Sequence, residues 1–156
     1  MAQANRGKQF ENVIRKAFMD VPDTSVDRVP DQMSGFYGSS NICDFVVYHY
    51  PTQYYIECKV THGNTFPLSR ITDKQLYGLC DKSKIFGVVA GVIVWWIDKD
   101  VTKFIPIETI MRMKESGKKS VSYAYDHFSI IDIEGVKARI FYRYNMKLFL
   151  EGWKNV

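Results

Sequence analysis

The run from Phe86 to Ile97, FGVVAGVIVWWI, carries no charged residue at any position. A strand with one wet face would alternate apolar with polar residues; a nearly continuous apolar run reads as a central strand covered on both faces. It is shorter than the roughly 18–20 residues of a membrane span. The chain is therefore expected to build a sheet layered between helices, with this strand near its middle. Asp98–Asp100 then forms a turn and Val101–Ile105 a returning strand.

A second stretch constrains the chemistry. Two runs rich in Val, Ile, Tyr and Phe, Ile42–His49 and Tyr54–Val60, flank Tyr50-Pro51-Thr52-Gln53, and the spacing predicts a β-hairpin. Asp44, Glu57 and Lys59 sit on it, where plain core strands carry no ionisable groups. Glu57 and Lys59 are two residues apart and share one face of a strand. With the turn centred on Pro51 and Thr52, Asp44 stands opposite Lys59 and diagonal to Glu57, roughly 7–8 Å away between backbones. Two carboxylates so placed can share a hard divalent cation such as Mg²⁺, and the neighbouring ammonium can offset charge on a reacting phosphate. The same Glu-x-Lys spacing also occurs as a solvated cross-strand pair on half-buried hairpins.

The remaining elements follow from periodicity and punctuation. Phe10, Val13, Ile14, Ala17 and Phe18 form an apolar stripe over residues 7–19, an amphipathic helix with Asn5 as its cap. Glu11 on that helix either pairs with Arg15 one turn on or approaches the acidic site. Arg6 and Lys8 oppose the helix macrodipole and are candidates for phosphate contact. Pro22-Asp23 ends the helix, and Thr24–Val29 is a first strand. Residues 31–41 form a Gly/Ser-rich connection that holds Met33, Phe36 and Tyr37; its aromatic rings either pack on the body or stack on unpaired bases. Thr72 caps a helix over 71–84, with Gln75 on its first turn and Arg70 and Lys74 at its entrance, both candidates for contact with a nucleic-acid backbone. A third helix spans Ile107–Lys114, Phe128–Ile133 suggests another strand, and Asn145–Lys154 an amphipathic helix.

Length and composition fit one domain with a true core: 156 residues, 46% hydrophobic and 24% charged. A net charge of +4 permits a polyanionic partner without requiring one. Cys43, Cys58 and Cys80 are odd in number and lack metal-ligand spacing, so they read as reduced, buried thiols, with Cys43 and Cys58 turned away from the acidic face. His62 lies close to the acidic stretch and is not expected to be a ligand. The N-terminus has no apolar signal region, so a cytoplasmic location and no membrane association are expected.

Asp44…Glu57-Cys58-Lys59 is the pattern of the PD-(D/E)xK nuclease superfamily. The order Asn5-Arg6-Gly7-Lys8, Phe10-Glu11, Ser39-Ser40, Asp44, Ile56-Glu57-Cys58-Lys59, Phe66-Pro67-Leu68 and Gln75 resembles the RecU-type Holliday junction resolvases of Firmicutes and their phages. The likeness runs from about Asn5 to about Ile107, with a weaker echo at Lys118-Lys119-Ser120. Cys43 stands where that family usually has Thr, and Cys58 where it often has Ala. The stretch before Asp44 is also shorter than is common there.

The resemblance implies a restriction-endonuclease-like α/β fold, a mixed central sheet flanked by helices with a short stalk-like loop. It implies a structure-selective endonuclease that resolves four-way DNA junctions by paired, symmetric nicks, leaving 5′-phosphate and 3′-hydroxyl ends. Asp44 and Glu57 would hold one or two Mg²⁺ ions, with Mn²⁺ as a substitute. Lys59 would position or deprotonate water, and Gln75 would hold Lys59 or a phosphate. Glu11 would stand near the metal, and Phe36 and Tyr37 would enter the junction centre. Symmetric cutting implies a homodimer, and the compact stalk region suggests a bacteriophage origin and the host cytoplasm. Two other readings stay open: a nuclease of the same fold acting on linear or flap DNA, and a non-catalytic branched-DNA-binding recombination protein.

Overall fold

The computed structural model describes residues 2–30, 41–139 and 141–152, the first three by backbone alone. Its elements run in the order α1 (Ala2–Met19), β1 (Thr24–Arg28), β2 (Phe45–His49), β3 (Thr52–Thr61), β4 (Thr65–Pro67), α2 (Asp73–Ser83), β5 (Val88–Trp96), β6 (Val101–Pro106) and α3 (Ile107–Glu115). Short strands β7 (Ser120–Ser122), β8 (Ile131–Asp132), β9 (Gly135–Lys137) and β10 (Tyr142–Tyr144) follow, then α4 (Met146–Gly152).

Six strands form a mixed sheet in the order β1-β2-β3-β5-β6-β8. β3 and β5 are parallel, and the other neighbours are antiparallel. The crossover from β3 to β5 carries α2, as a parallel connection requires.

Both faces of the sheet are covered, which explains the unbroken apolar sequence of β5. Ala90, Val92, Val94 and Trp96 pack in one cluster with Leu76 and Leu79 of α2 and Ile107, Ile110 and Met113 of α3. Ile93 and Trp95 point the other way, into a cluster with Phe10, Ile14 and Phe18 of α1 and Phe149 and Leu150 of α4. Phe10 stacks on Trp95 with ring centroids 5.4 Å apart. Phe149 meets Phe104 at 5.0 Å and Phe18 at 5.9 Å. The central mixed sheet flanked by helices is thus present as expected. The expected stalk-like loop, with Met33, Phe36 and Tyr37, lies outside the described residues.

Several local expectations are corrected. β5 begins at Val88, and Phe86 is fully exposed in the preceding turn. Gly87 there has φ +81°, a conformation open to glycine, which ends the helical connection before the strand starts. Ile97 belongs to a single helical turn after the strand. The strand expected over Phe128–Ile133 shrinks to Ile131–Asp132, and Phe128 is exposed. α1 starts at Ala2, so Asn5 lies within the helix and does not cap it.

The hairpin register differs most consequentially. His49 pairs with Thr52 and Phe45 with Ile56, so the connection is Tyr50-Pro51 alone. Thr52 and Gln53 join the strand because pairing holds them there, Thr52 on the β2 edge and Gln53 on both. Gln53 lies opposite Tyr48 on β2 and Val88 on β5.

Candidate active site

Continuing the register one step beyond Phe45↔Ile56 sets Asp44 opposite Glu57, not Lys59. The one-residue change in turn position moves every cross-strand partner. Asp44 stands just before β2, where its amide still donates to the Ile56 carbonyl at 3.0 Å. Its carboxylate turns inward and accepts the Cys58 amide at 2.7 Å. The Asp44 carbonyl takes the Val29 amide at 2.9 Å, which fixes this residue from the β1 side as well.

Glu57 is 4% exposed and faces the α2 layer. Gln75 Nε2 donates to Glu57 Oε2 at 2.7 Å. Gln75 is itself held at the first turn of α2 by a capping box. Its amide donates to Thr72 Oγ1 at 3.2 Å, and its side-chain oxygen accepts the Thr72 amide at 3.1 Å. One side chain therefore starts the helix and orients the carboxylate. Gln75 reaches the site, but its partner is Glu57 and not Lys59.

Glu11 enters from α1, on the opposite layer. It is 8% exposed, and its partner is Arg28 at the end of β1, with Nε 3.3 Å from Oε1, rather than Arg15. Arg28 was not singled out in the sequence; only the β1–β2 register, which sets Arg28 opposite Phe45 beside Asp44, reveals it. The Thr72-x-x-Gln75 signature was a readable sign of the capping box.

The electrostatics follow from crowding. Burial pushes the Glu57 carboxyl far above the usual range; its hydrogen bond with Asp44 and the Asp44 charge push the same way, against the Lys59 ammonium. Burial and Asp44 also raise Glu11, opposed by Arg28 and Lys8. Three carboxyl groups from α1, β3 and the start of β2 thus sense one another.

Asp44 and Glu57 suit a divalent cation by this test. They are hard oxygen donors brought together at the hairpin, and a cation between them would offset the burial and the Asp44 charge that raise Glu57. Among the described residues no group of three or more His, Cys, Asp or Glu is placed to hold a metal ion. A two-carboxylate site fits Mg²⁺, which keeps several waters and completes its shell with substrate phosphate.

Lys59 is half-buried on the Glu57 face of β3. Arg70 and Lys74 are exposed beside the α2 entrance, Arg6 is half-buried, and Lys8 is exposed on α1. Arg70 donates to the Val60 carbonyl, one residue beyond Lys59. Phe36 and Tyr37 lie outside the described residues. His62 is turned away toward Asp98, with Nδ1 3.3 Å from Oδ1.

All three cysteines are free thiols, but only Cys43 is fully buried, and Cys58 and Cys80 are half-buried. Burial pushes the Cys43 thiol up to about 12. Cys43 packs on the α2 side, because it precedes β2 and strand alternation does not govern it; Cys58 faces the α1 layer.

No protein-family model matches the chain. No curated protein matches it in sequence. Among solved structures it is similar to Hjc, a Holliday junction resolvase from the archaeal hyperthermophile Archaeoglobus fulgidus. The identity is 21% and the TM-score 0.47, over 66% of this chain and 74% of that one. A likeness at that level does not extend to function, which is argued below from the site's own geometry.

Proposed function

We propose that the protein is a PD-(D/E)xK-type, RecU-like endonuclease that cuts four-way DNA junctions, with Asp44, Glu57 and Lys59 at its centre. The observation that carries this reading is the meeting of half-buried Asp44 with buried Glu57, with Gln75 bonded to Glu57 and the Cys58 amide to Asp44. Isolated surface pairs do not recruit a helix cap and a strand amide to fix two carboxyl groups side by side.

Asp44 and Glu57 would hold a divalent cation, Mg²⁺ or Mn²⁺, whose Lewis acidity activates water and offsets charge on the scissile phosphate. The Cys58 amide and Gln75 fix the two carboxylates in place. Lys59, on the Glu57 face, presents an ammonium to the phosphate and stabilises the charge that grows there. Arg28 balances Glu11 and keeps a third negative charge from expelling the other two. Arg6, Lys8, Arg70 and Lys74 supply salt-sensitive, sequence-independent contacts to the DNA backbone. Two opposed cuts match a two-fold homodimer.

The test compares binding and cutting in one preparation. Asp44→Asn should bind a labelled junction within about threefold of wild type and lose cutting in Mg²⁺ by a factor of at least ~100, the scale of a lost electrostatic stabiliser. Lys59→Ala should slow cutting similarly while Mn²⁺ affinity stays the same. An Asp44→Asn protein that cuts normally would remove the carboxylate pair from the chemistry.

A further inference from the structure

The hairpin strand does not end at the acidic site. Glu57, Lys59 and Thr61 share one face of β3 by alternation. The Thr61 hydroxyl donates to the Thr65 carbonyl at 3.2 Å and ties β3 to the start of β4. β4 pairs with β7 in a separate two-stranded ribbon, Thr65↔Ser122 through Pro67↔Ser120. Phe66 and Val121 point from this ribbon into the α2–α3 core and anchor it, both fully buried. The alternate positions lie on the other side of the ribbon: Thr65 is exposed, Ser120 and Ser122 are half-buried, and the Ser122 hydroxyl accepts the Ala124 amide at 3.2 Å.

Lysines stand at both ends of the ribbon, each set over an aromatic ring. Lys118 Nζ lies 3.6 Å from the Tyr125 ring centroid, and Lys99 Nζ 5.2 Å from that of Tyr123. The rings are fixed in turn. Tyr123 donates its amide to Asn64 at 2.9 Å, and the Tyr125 carbonyl accepts from the buried Lys103 at 3.3 Å. Lys119 is exposed, and its carbonyl accepts the Leu68 amide at 2.9 Å, two residues from Arg70. Of the nearby carboxylates, Asp98 accepts the Gly63 amide at 2.6 Å and faces His62, Asp100 pairs with Lys137 at 3.7 Å, and Asp132 pairs with Lys103 at 3.2 Å.

We infer that the β4–β7 ribbon is a second DNA-contacting surface, on which Lys99, Lys118 and Lys119 track the phosphates of the duplex arm that leads into the Asp44–Glu57 site. This rests on the nuclease reading above and extends it to residues outside the acidic centre. An ammonium held over a ring is positioned in advance and loses little freedom on meeting a phosphate, while its other N–H donors stay available. The hydroxyls on that side of the ribbon add neutral donors between the charges. From residue 118 to 123 an extended chain covers roughly 16 Å. One DNA strand carries about five phosphates over that length of helix axis.

The experiment is a salt titration of binding to a labelled four-way junction in Ca²⁺, followed by single-turnover cutting in Mg²⁺ at saturating protein. Lys99→Gln/Lys118→Gln removes two charges while leaving a polar, unbranched side chain, and Lys119→Gln is added to it. Melting curves within about 3 °C of wild type establish that the variants fold. Each lost phosphate contact lowers the slope of log K against log salt by about 0.9. The double variant should lose about 1.8 and the triple about 2.7, with the cutting rate at saturation unchanged within twofold. Lys147→Gln, on α4 in the opposite layer of the sheet, should leave the slope as it was. Variants with the wild-type slope would overturn the ribbon assignment while leaving the nuclease reading intact. A wild-type protein that binds neither junction nor duplex would sink the nuclease reading itself.

Discussion

Glu57 carries a large electrostatic conflict, because its carboxyl is buried beside Asp44. Its folded carboxyl sits well above its ordinary value of 4.5. The folded state then holds a proton that the unfolded chain releases, so stability falls as pH rises from about 4.5 through the folded pKa. Without divalent metal, the melting temperature should drop between pH 5 and pH 9, and Glu57→Gln should flatten that profile. Saturating Mg²⁺ should reverse the loss at pH 8. At a hundred times its dissociation constant it contributes about 2.7 kcal/mol, or roughly 5–10 °C for a chain of this size. Calorimetry with and without Mg²⁺ checks both; an unchanged melting temperature at pH 8 would remove the metal from this site.

Gln75 allows a sharper division, because the same side chain caps α2 and holds Glu57. Thr72→Ala removes only the cap and should cost about 1 kcal/mol of stability with little change in cutting at saturating Mg²⁺. Gln75→Ala removes both and should also slow cutting roughly tenfold, the scale of a lost hydrogen bond to a charged group. Equal cutting by the two variants would reduce Gln75 to a structural cap.

At the scale of elements, the site depends on how closely α2 approaches the segment before β2. A Cβ at Gly78 would come within 2.3 Å of Ile42 Cγ2 and 3.0 Å of its Cβ. Ile42 lies two residues before Asp44. Gly78→Ala gains roughly 1 kcal/mol of helix propensity but overpacks this contact by a comparable or larger amount. Its melting temperature should therefore stay within a few degrees, while the shift of residues 42–44 lowers cutting by tenfold or more. A Gly78→Ala protein with normal cutting would show that Asp44 is positioned independently of α2.

The same elements show what the sequence could and could not reveal. The continuous apolar run of β5 announced a strand covered on both faces, because each side chain meets a helix layer. That Asp44 and Glu57 would come close was readable because ionisable groups stand out beside buried strands. The hairpin register was not readable. Tyr50-Pro51 and Pro51-Thr52 are both plausible turn centres locally, and pairing with β5, distant in sequence, chooses between them. Arg28 was hidden for a related reason. It becomes a partner of Glu11 only when β1 docks on β2 and α1 folds across them.

For the whole molecule, paired cutting requires two acidic sites that face two strands of one branched substrate. In solution the protein should sediment as a dimer, twice its 18.1 kDa chain mass, at micromolar concentration and below. A monomer under those conditions that still nicks a junction would separate the chemistry from the paired cut. Among the described residues no helix is long and apolar enough to cross a membrane.

The most direct test is cleavage of a mobile four-way junction, labelled in turn on each strand, beside a linear duplex of the same sequence, with Mg²⁺ and with EDTA. The expected result is symmetric paired nicks in opposing strands of the junction, no cutting of the duplex, and loss of all nicks in EDTA. Equal cutting of both substrates in Mg²⁺ would keep the acidic centre but contradict junction selectivity. Intact junctions after long incubation in Mg²⁺ and Mn²⁺, with binding retained, would contradict the nuclease assignment itself.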